Sequence, residues 1–196
     1  MLDTNIILIG PLDTGKSTVG KLLGEALALP VVEIDDLRWN YYAEIGYDLD
    51  HAEQLWREGG ILGRVAYWKP FEIHGVERLL QDHPKGYILP FGAGNSVYTD
   101  PAHIERLQKA LAPYPYVVLL LPAPDINESH RILMERFRAS TPDAAPNIFK
   151  GISELNRHFL ESPCNAGLAK YTVYTADKSP AETCQEVLKS LGLQSS

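Results

Sequence analysis

Eight consecutive residues, Gly10-Pro11-Leu12-Asp13-Thr14-Gly15-Lys16-Ser17, follow the spacing Gly, four residues, Gly, Lys, Ser. That spacing suits the gripping of a nucleotide's phosphates. Gly10 and Gly15 permit backbone angles and a close approach that a Cβ would obstruct, so amides from Asp13, Thr14 and Gly15 can turn inward on phosphate oxygens. Lys16 is expected to bridge the β- and γ-phosphates, and the Ser17 hydroxyl to ligate Mg²⁺. Further along, Glu33-Ile34-Asp35-Asp36 brings three carboxylates together. One of a carboxylate pair can hold a metal-bound water while the other aligns or accepts the proton of an attacking hydroxyl. Glu33 is taken for the metal role and Asp35 for the proton, with Asp36 as a helix cap.

The surrounding pattern can position these groups. Ile6-Ile7-Leu8-Ile9 is a short β-branched run suited to a buried parallel strand. After the loop, Val19, Leu22, Leu23, Ala26 and Leu27 form one helical stripe, so a strand enters the loop and a helix leaves it. The amides opening that helix, through Ser17 and Thr18, add their dipole to the same anion site. Runs at 31–34, 87–89, 117–121 and 171–174 predict four more strands. Alternation along the first of these would put Glu33 and Asp35 on one face. Ile104, Leu107 and Leu111 mark a helix after Asp100-Pro101, and Ala181, Cys184, Val187, Leu188 and Leu191 mark a final one after Ser179-Pro180. The expected fold is α/β: a three-layer P-loop NTPase fold with a five-stranded parallel sheet, helices on both faces and ligands at the carboxyl ends of the strands.

Two connections exceed a simple crossover. Residues 36–85 hold Trp39, Trp56 and Trp68 with Tyr41, Tyr42, Tyr47, Tyr67 and Phe71. This reads as a helical substrate lobe whose aromatic rings serve as lobe core or as pocket wall. The turn-rich stretch within 139–150 reads as a lid between two helices. Both are nested in one domain spanning 1–196.

Bulk composition narrows the partners. The net charge of -7, from 25 acidic against 18 basic residues with no basic block, argues against nucleic acid or an anionic membrane. The longest apolar run is too short to cross a bilayer, and nothing resembles a leader peptide. Cys164 and Cys184 lack the spacing of a zinc site and read as reduced core thiols. A cytoplasmic monomer is the expectation. The six histidines show no catalytic arrangement.

The run from Gly15-Lys16-Ser17-Thr18 through Leu29-Pro30-Val31-Val32-Glu33-Ile34-Asp35 resembles the opening of shikimate kinases and related P-loop small-molecule kinases. The likeness spans nearly the whole chain, with strong loop motifs and partial substrate motifs. Glu33 and Asp35 stand where the family has Asp-x-Asp, and Trp68-Lys69-Pro70-Phe71-Glu72 is similar to its Phe-Arg-x-x-Glu. Lys69 thus falls in the place of an arginine that grips the substrate, but offers a point charge instead of a planar fork. Gly92-Ala93-Gly94 resembles the family's glycine-rich substrate segment, and Arg157 matches an arginine that holds the substrate carboxylate. The run holding Lys178 and Pro180 resembles a loop that packs on adenine. Arg136, Arg138 and Lys150 flank the lid, and Arg138 is taken as the cation on the transferring phosphate.

The resemblance implies an ATP-dependent kinase, with Mg²⁺, acting on a hydroxyl of a small metabolite. A nucleoside monophosphate kinase, using Arg38, Arg57, Arg64 or Arg78 for an acceptor phosphate, is an alternative. A nucleotide-sensing module without transfer is another.

Overall fold

The computed structural model describes residues 2–194, so the extreme ends of the expected 1–196 span lie outside it. Strand β1 (Ile6–Ile9) leads through the phosphate-binding loop into α1 (Lys16–Leu27). Then follow α2 (Ile34–Glu44), α3 (Leu49–Asp82), β2 (Ile88–Pro90), a 3₁₀ turn (Ala93–Ser96) and α4 (Pro101–Leu111). The order closes with β3 (Tyr116–Leu121), α5 (Ile126–Ser140), α6 (Pro146–Glu161), α7 (Pro163–Leu168), β4 (Tyr171–Tyr174) and α8 (Pro180–Leu191).

The strands pair in parallel in the order β2-β1-β3-β4. Alternation splits their side chains between two buried layers. Ile7, Ile9, Leu89, Val117 and Leu119 face α2, α3 and α4, whereas Ile6, Leu8, Ile88, Val118, Leu120 and Val173 face α1 and α8. Cys184 belongs to the second layer, and both cysteines are free thiols. Asp100 caps α4 by accepting from the Ala102 amide, and Ser179 with Glu182 forms a capping box on α8. No helix among the described residues is long and apolar enough to cross a membrane.

Among the described residues the sheet has four strands, not the expected five. At 31–34 only Val31 bridges, to Ile88, with the Val32 N–H donating to the Ile88 carbonyl at 3.0 Å and the Ile88 N–H donating to the Pro30 carbonyl at 2.9 Å. Pro30 brings no N–H to a ladder, and the chain turns helical at Ile34. The shared strand face expected for Glu33 and Asp35 is therefore absent. Glu33 is the extended residue ahead of α2, and Asp35 and Asp36 occupy the first turn, where acidic side chains suit the helix dipole.

The 36–85 segment folds as α2 packed on α3, and α3 is broken at Gly60 (φ 62°, ψ -152°). Tyr41, Tyr42 and Phe71 are buried in the main core while Trp39 stays exposed. The expected lid, residues 139–150, comprises the end of α5, a turn at 141–145 and the start of α6.

Candidate active site

The loop between β1 and α1 takes its shape from three residues with positive φ, at Gly10 (140°), Asp13 (60°) and Gly15 (91°). Gly10 lies so close to β3 that an added Cβ would sit 2.4 Å from the Leu120 carbonyl oxygen. The curl brings the first amides of α1, which have no carbonyl one turn back, to the rim of a cavity. Lys16 bends inside it. Its ammonium donates to the carbonyls of Gly10 at 2.9 Å and Pro11 at 2.6 Å. Burial pushes this ammonium down to about 8, with Asp35 and Asp13 pulling the other way. Lys16 is thus held by the loop's own carbonyls, with the charges of Asp13 and Asp35 acting on it.

The loop separates two cavities. On one side Asp13, Thr14, Gly15, Thr18, Arg136, Thr175, Lys178 and Pro180 line a space of about 230 Å³. Arg136 closes it by donating to the Thr175 hydroxyl and carbonyl, both at 3.0 Å, and to the Asp13 carbonyl at 3.3 Å. Burial holds this guanidinium below its ordinary range, opposed by Asp13. Arg138, the expected lid cation, lies elsewhere: its guanidinium stacks 4.8 Å from the Phe149 ring centroid and lines neither cavity. Two residues of helix turn a side chain through about 200°, so Arg136 and Arg138 face opposite ways.

On the other side lies a narrower cavity of about 170 Å³, bounded by Asp35, Arg38, Tyr42, Trp68, Glu72, the Gly92-Ala93-Gly94 segment and apolar side chains of α3 and α6. Asp35 accepts from Arg38 Nη1 at 3.1 Å. An added Cβ at Gly92 would come 2.5 Å from Asn95 Oδ1 and 3.1 Å from Asp35 Oδ1, so these side chains would have to shift. Ser17 and Glu33 meet at the edge of the loop, the hydroxyl donating to Glu33 Oε2 at 2.5 Å, with Lys21 3.4 Å from the other carboxylate oxygen.

Two expected substrate-gripping cations are engaged with partners within the chain. Lys69 donates to Glu72 Oε2 at 2.6 Å and to the Gly94 carbonyl at 3.0 Å, one α3 turn from its partner. Glu72 is 6% exposed, and its burial raises the carboxyl above the usual range while Lys69 opposes the rise. Arg157 faces α5, donating to Asn127 at 2.8 Å with Glu161 at 3.8 Å. The residue beside it, Asn156, is fully buried and accepts from the Leu12 amide at 3.0 Å. Arg131 pairs with both Glu128 and Glu135 on the surface.

Residues that sequence reasoning left out of the site are Thr183 beside the first cavity, and Asn95, Ile152, Leu155 and Phe159 around the second. Only the Ile152, Leu155, Phe159 spacing on one helix could have flagged a wall, and it reads equally as core.

The glycines of 92–94 can be tested directly. A Cβ at Gly94 would sit 2.2 Å from Glu72 Oε1, so Gly94→Ala must displace a buried, paired carboxylate. Overpacking of this kind costs about 1–3 kcal/mol, which lowers Tm by roughly 2–12 °C in a domain of this size. A thermal melt of the purified variant checks it.

Among known proteins, no family model matches the chain. It is 25% identical to the shikimate kinase of Flavobacterium psychrophilum, over 95% of this chain and 98% of that protein. It is 27% identical to the shikimate kinase of Persephonella marina, over 94% and 96% respectively. Among solved structures, shikimate kinase from Acinetobacter baumannii in complex with shikimate superposes with a TM-score of 0.63 at 21% identity, covering 95% of this chain and 91% of that one. A gluconokinase from Sinorhizobium meliloti does so at 0.62 and 20% identity, covering 97% and 92%. Likeness at these structural identities carries the fold.

Proposed function

We propose that this chain is a shikimate kinase-like P-loop kinase, an ATP-dependent enzyme that phosphorylates a hydroxyl of a small molecule, and that the two cavities divide the substrates. ATP phosphates lie in the Gly10-to-Ser17 loop with the base toward Arg136, Lys178 and Pro180, and the acceptor lies beside Asp35. The single observation that carries this reading is that the loop stands between the two cavities, with Asp13, Thr14 and Gly15 lining one and Leu12 the other, and that Asp35 lines the second.

Mg²⁺ fits the Ser17 and Glu33 pair, because that ion takes one or two oxygen ligands from protein and the rest from phosphate and water. When bound it neutralises charge developing on the phosphate oxygens. The chain's own residues do the rest. The Asp35 carboxylate orients the acceptor hydroxyl and takes its proton as the hydroxyl oxygen bonds to the γ-phosphorus. The bond from that phosphorus to the β–γ bridging oxygen breaks, and ADP leaves with the electron pair. Lys16 holds the phosphates, and Arg136 serves as the second cation. The stretch 139–150 acts as the lid that excludes water, nested with the 36–85 lobe in a single domain spanning 1–196.

Asp35 is what weighs against a nucleotide sensor, which has no need of a carboxylate lining a separate cavity. Steady-state ADP release across hydroxylated metabolites with Mg-ATP tests the reading. Acceptor-dependent turnover is expected, and none with any acceptor would leave only nucleotide binding.

The depressed Lys16 ammonium also gives ATP affinity a pH profile. The protonated form binds phosphate, and its fraction falls as pH rises through about 8. ATP affinity in the free enzyme is therefore expected to weaken by up to about tenfold per pH unit above that point. Calorimetric titration between pH 7 and 9.5 checks it; a flat profile removes Lys16 as the titrating phosphate contact.

A further inference from the structure

If the Asp35 cavity receives the acceptor, as the reading above holds, its walls also constrain what that acceptor is. Leu12, Ile61, Val65, Ile152, Leu155 and Phe159 give it a largely apolar lining. Two carboxylates, Asp35 and Glu72, also face it. Among the described residues Arg38 is the one cation that lines it; its Nη1 donates to Asp35 at 3.1 Å, its guanidinium is stacked 4.5 Å from the Trp39 ring centroid, and its Nε is buried with no hydrogen-bond partner.

The other cations nearby are taken. Lys69 is held by Glu72 and the Gly94 carbonyl, and its side chain is only 16% exposed. Freeing it for a ligand would leave Glu72 charged and unpaired in the interior, which is strongly unfavourable. Arg64 is flattened between Trp56 and Trp68, at 4.3 and 4.5 Å from their centroids, with its Nε shut away from solvent and no place in the lining. Arg157 faces α5. A carboxylate entering this cavity would join Asp35 and Glu72 in a small apolar space where the lining cation, Arg38, already faces Asp35.

We propose that the acceptor is an uncharged alcohol with an apolar face, recognised by the walls of the Asp35 cavity and not through a carboxylate. The hydroxyl points at Asp35, and the apolar face lies against Ile152, Leu155 and Phe159. Trp68 lies across from them as the flat wall an aromatic or alicyclic ring would meet.

The test uses pairs that share the alcohol and differ in whether they carry a free carboxylate: methyl shikimate against shikimate, and benzyl alcohol against 4-(hydroxymethyl)benzoate. Binding to the full chain with ADP present is read by tryptophan fluorescence, since Trp68 lines the cavity. Turnover of methyl shikimate and shikimate is read by ADP release. The neutral member of each pair is expected to bind at least tenfold tighter, and the ester to have the higher kcat/KM. Equal or tighter binding of either acid overturns the proposal, and so does failure of both neutral members to bind. ATP affinity is measured in parallel. Loss of ATP binding counts against the kinase reading itself, whereas intact ATP binding with a preferred acid sinks only the acceptor class.

Discussion

Asp35→Asn is expected to bind ATP within a few-fold of the natural chain while its turnover falls by roughly 10²-fold or more. Asparagine keeps the size of the side chain and an oxygen for the Arg38 guanidinium, now 3.1 Å from the carboxylate, so the first turn of α2 is left standing. What it removes is the ability to take a proton from the acceptor. The effect should therefore appear in kcat with the acceptor saturating, while nucleotide affinity measured without acceptor barely moves. Turnover within threefold of the natural chain would mean that Asp35 is not the base. The alternative for that side chain would then be its pairing with Arg38.

Lys16→Ala should lose on the order of 2–4 kcal/mol of transition-state stabilisation, or roughly 30- to 1,000-fold in kcat/KM for ATP. The ammonium sits within the loop's curve against two carbonyls, so no neighbour can take over its charge without rebuilding the loop. A fall in stability is not expected to match. Burial already disfavours the Lys16 charge in the folded chain, so removing it relieves a desolvation cost while giving up two hydrogen bonds. A melting temperature within a few degrees of the natural chain, together with the kinetic loss, separates chemistry from folding. Unchanged rate and ATP affinity would remove the phosphate-loop reading altogether.

What could be read from sequence followed from how local each cause is. The phosphate loop was legible because its shape comes from residues within the loop, with positive φ at Gly10 and Gly15. Strands β1, β3 and β4 were legible as short apolar runs, and α4 and α8 from their capping residues. The segment at 31–34 was misread because composition favours a strand there. Pro30 and the early start of α2 instead leave a single bridge.

Lys69 and Arg157 show a different limit. Residue type says that a cation is present but not which anion claims it, and both had partners set by packing: Glu72 one turn along α3, and Asn127 across on α5. Arg136 against Arg138 was a question of helix phase, which needs the neighbouring element before it has an answer. The second cavity drew on α2, α3, the 3₁₀ turn and α6 together, so no single stretch announced it.

The hydrogen bond from the Leu12 amide to Asn156 joins the crest of the nucleotide cradle to the helix whose other side chains wall the acceptor. With that peptide's N–H tethered and Asn156 wholly enclosed, α6 cannot slide without tugging the backbone that shapes the ATP seat. The loop and α6 are thereby joined twice, by that hydrogen bond and by Leu12 packing against the cluster that holds Leu155 and Phe159.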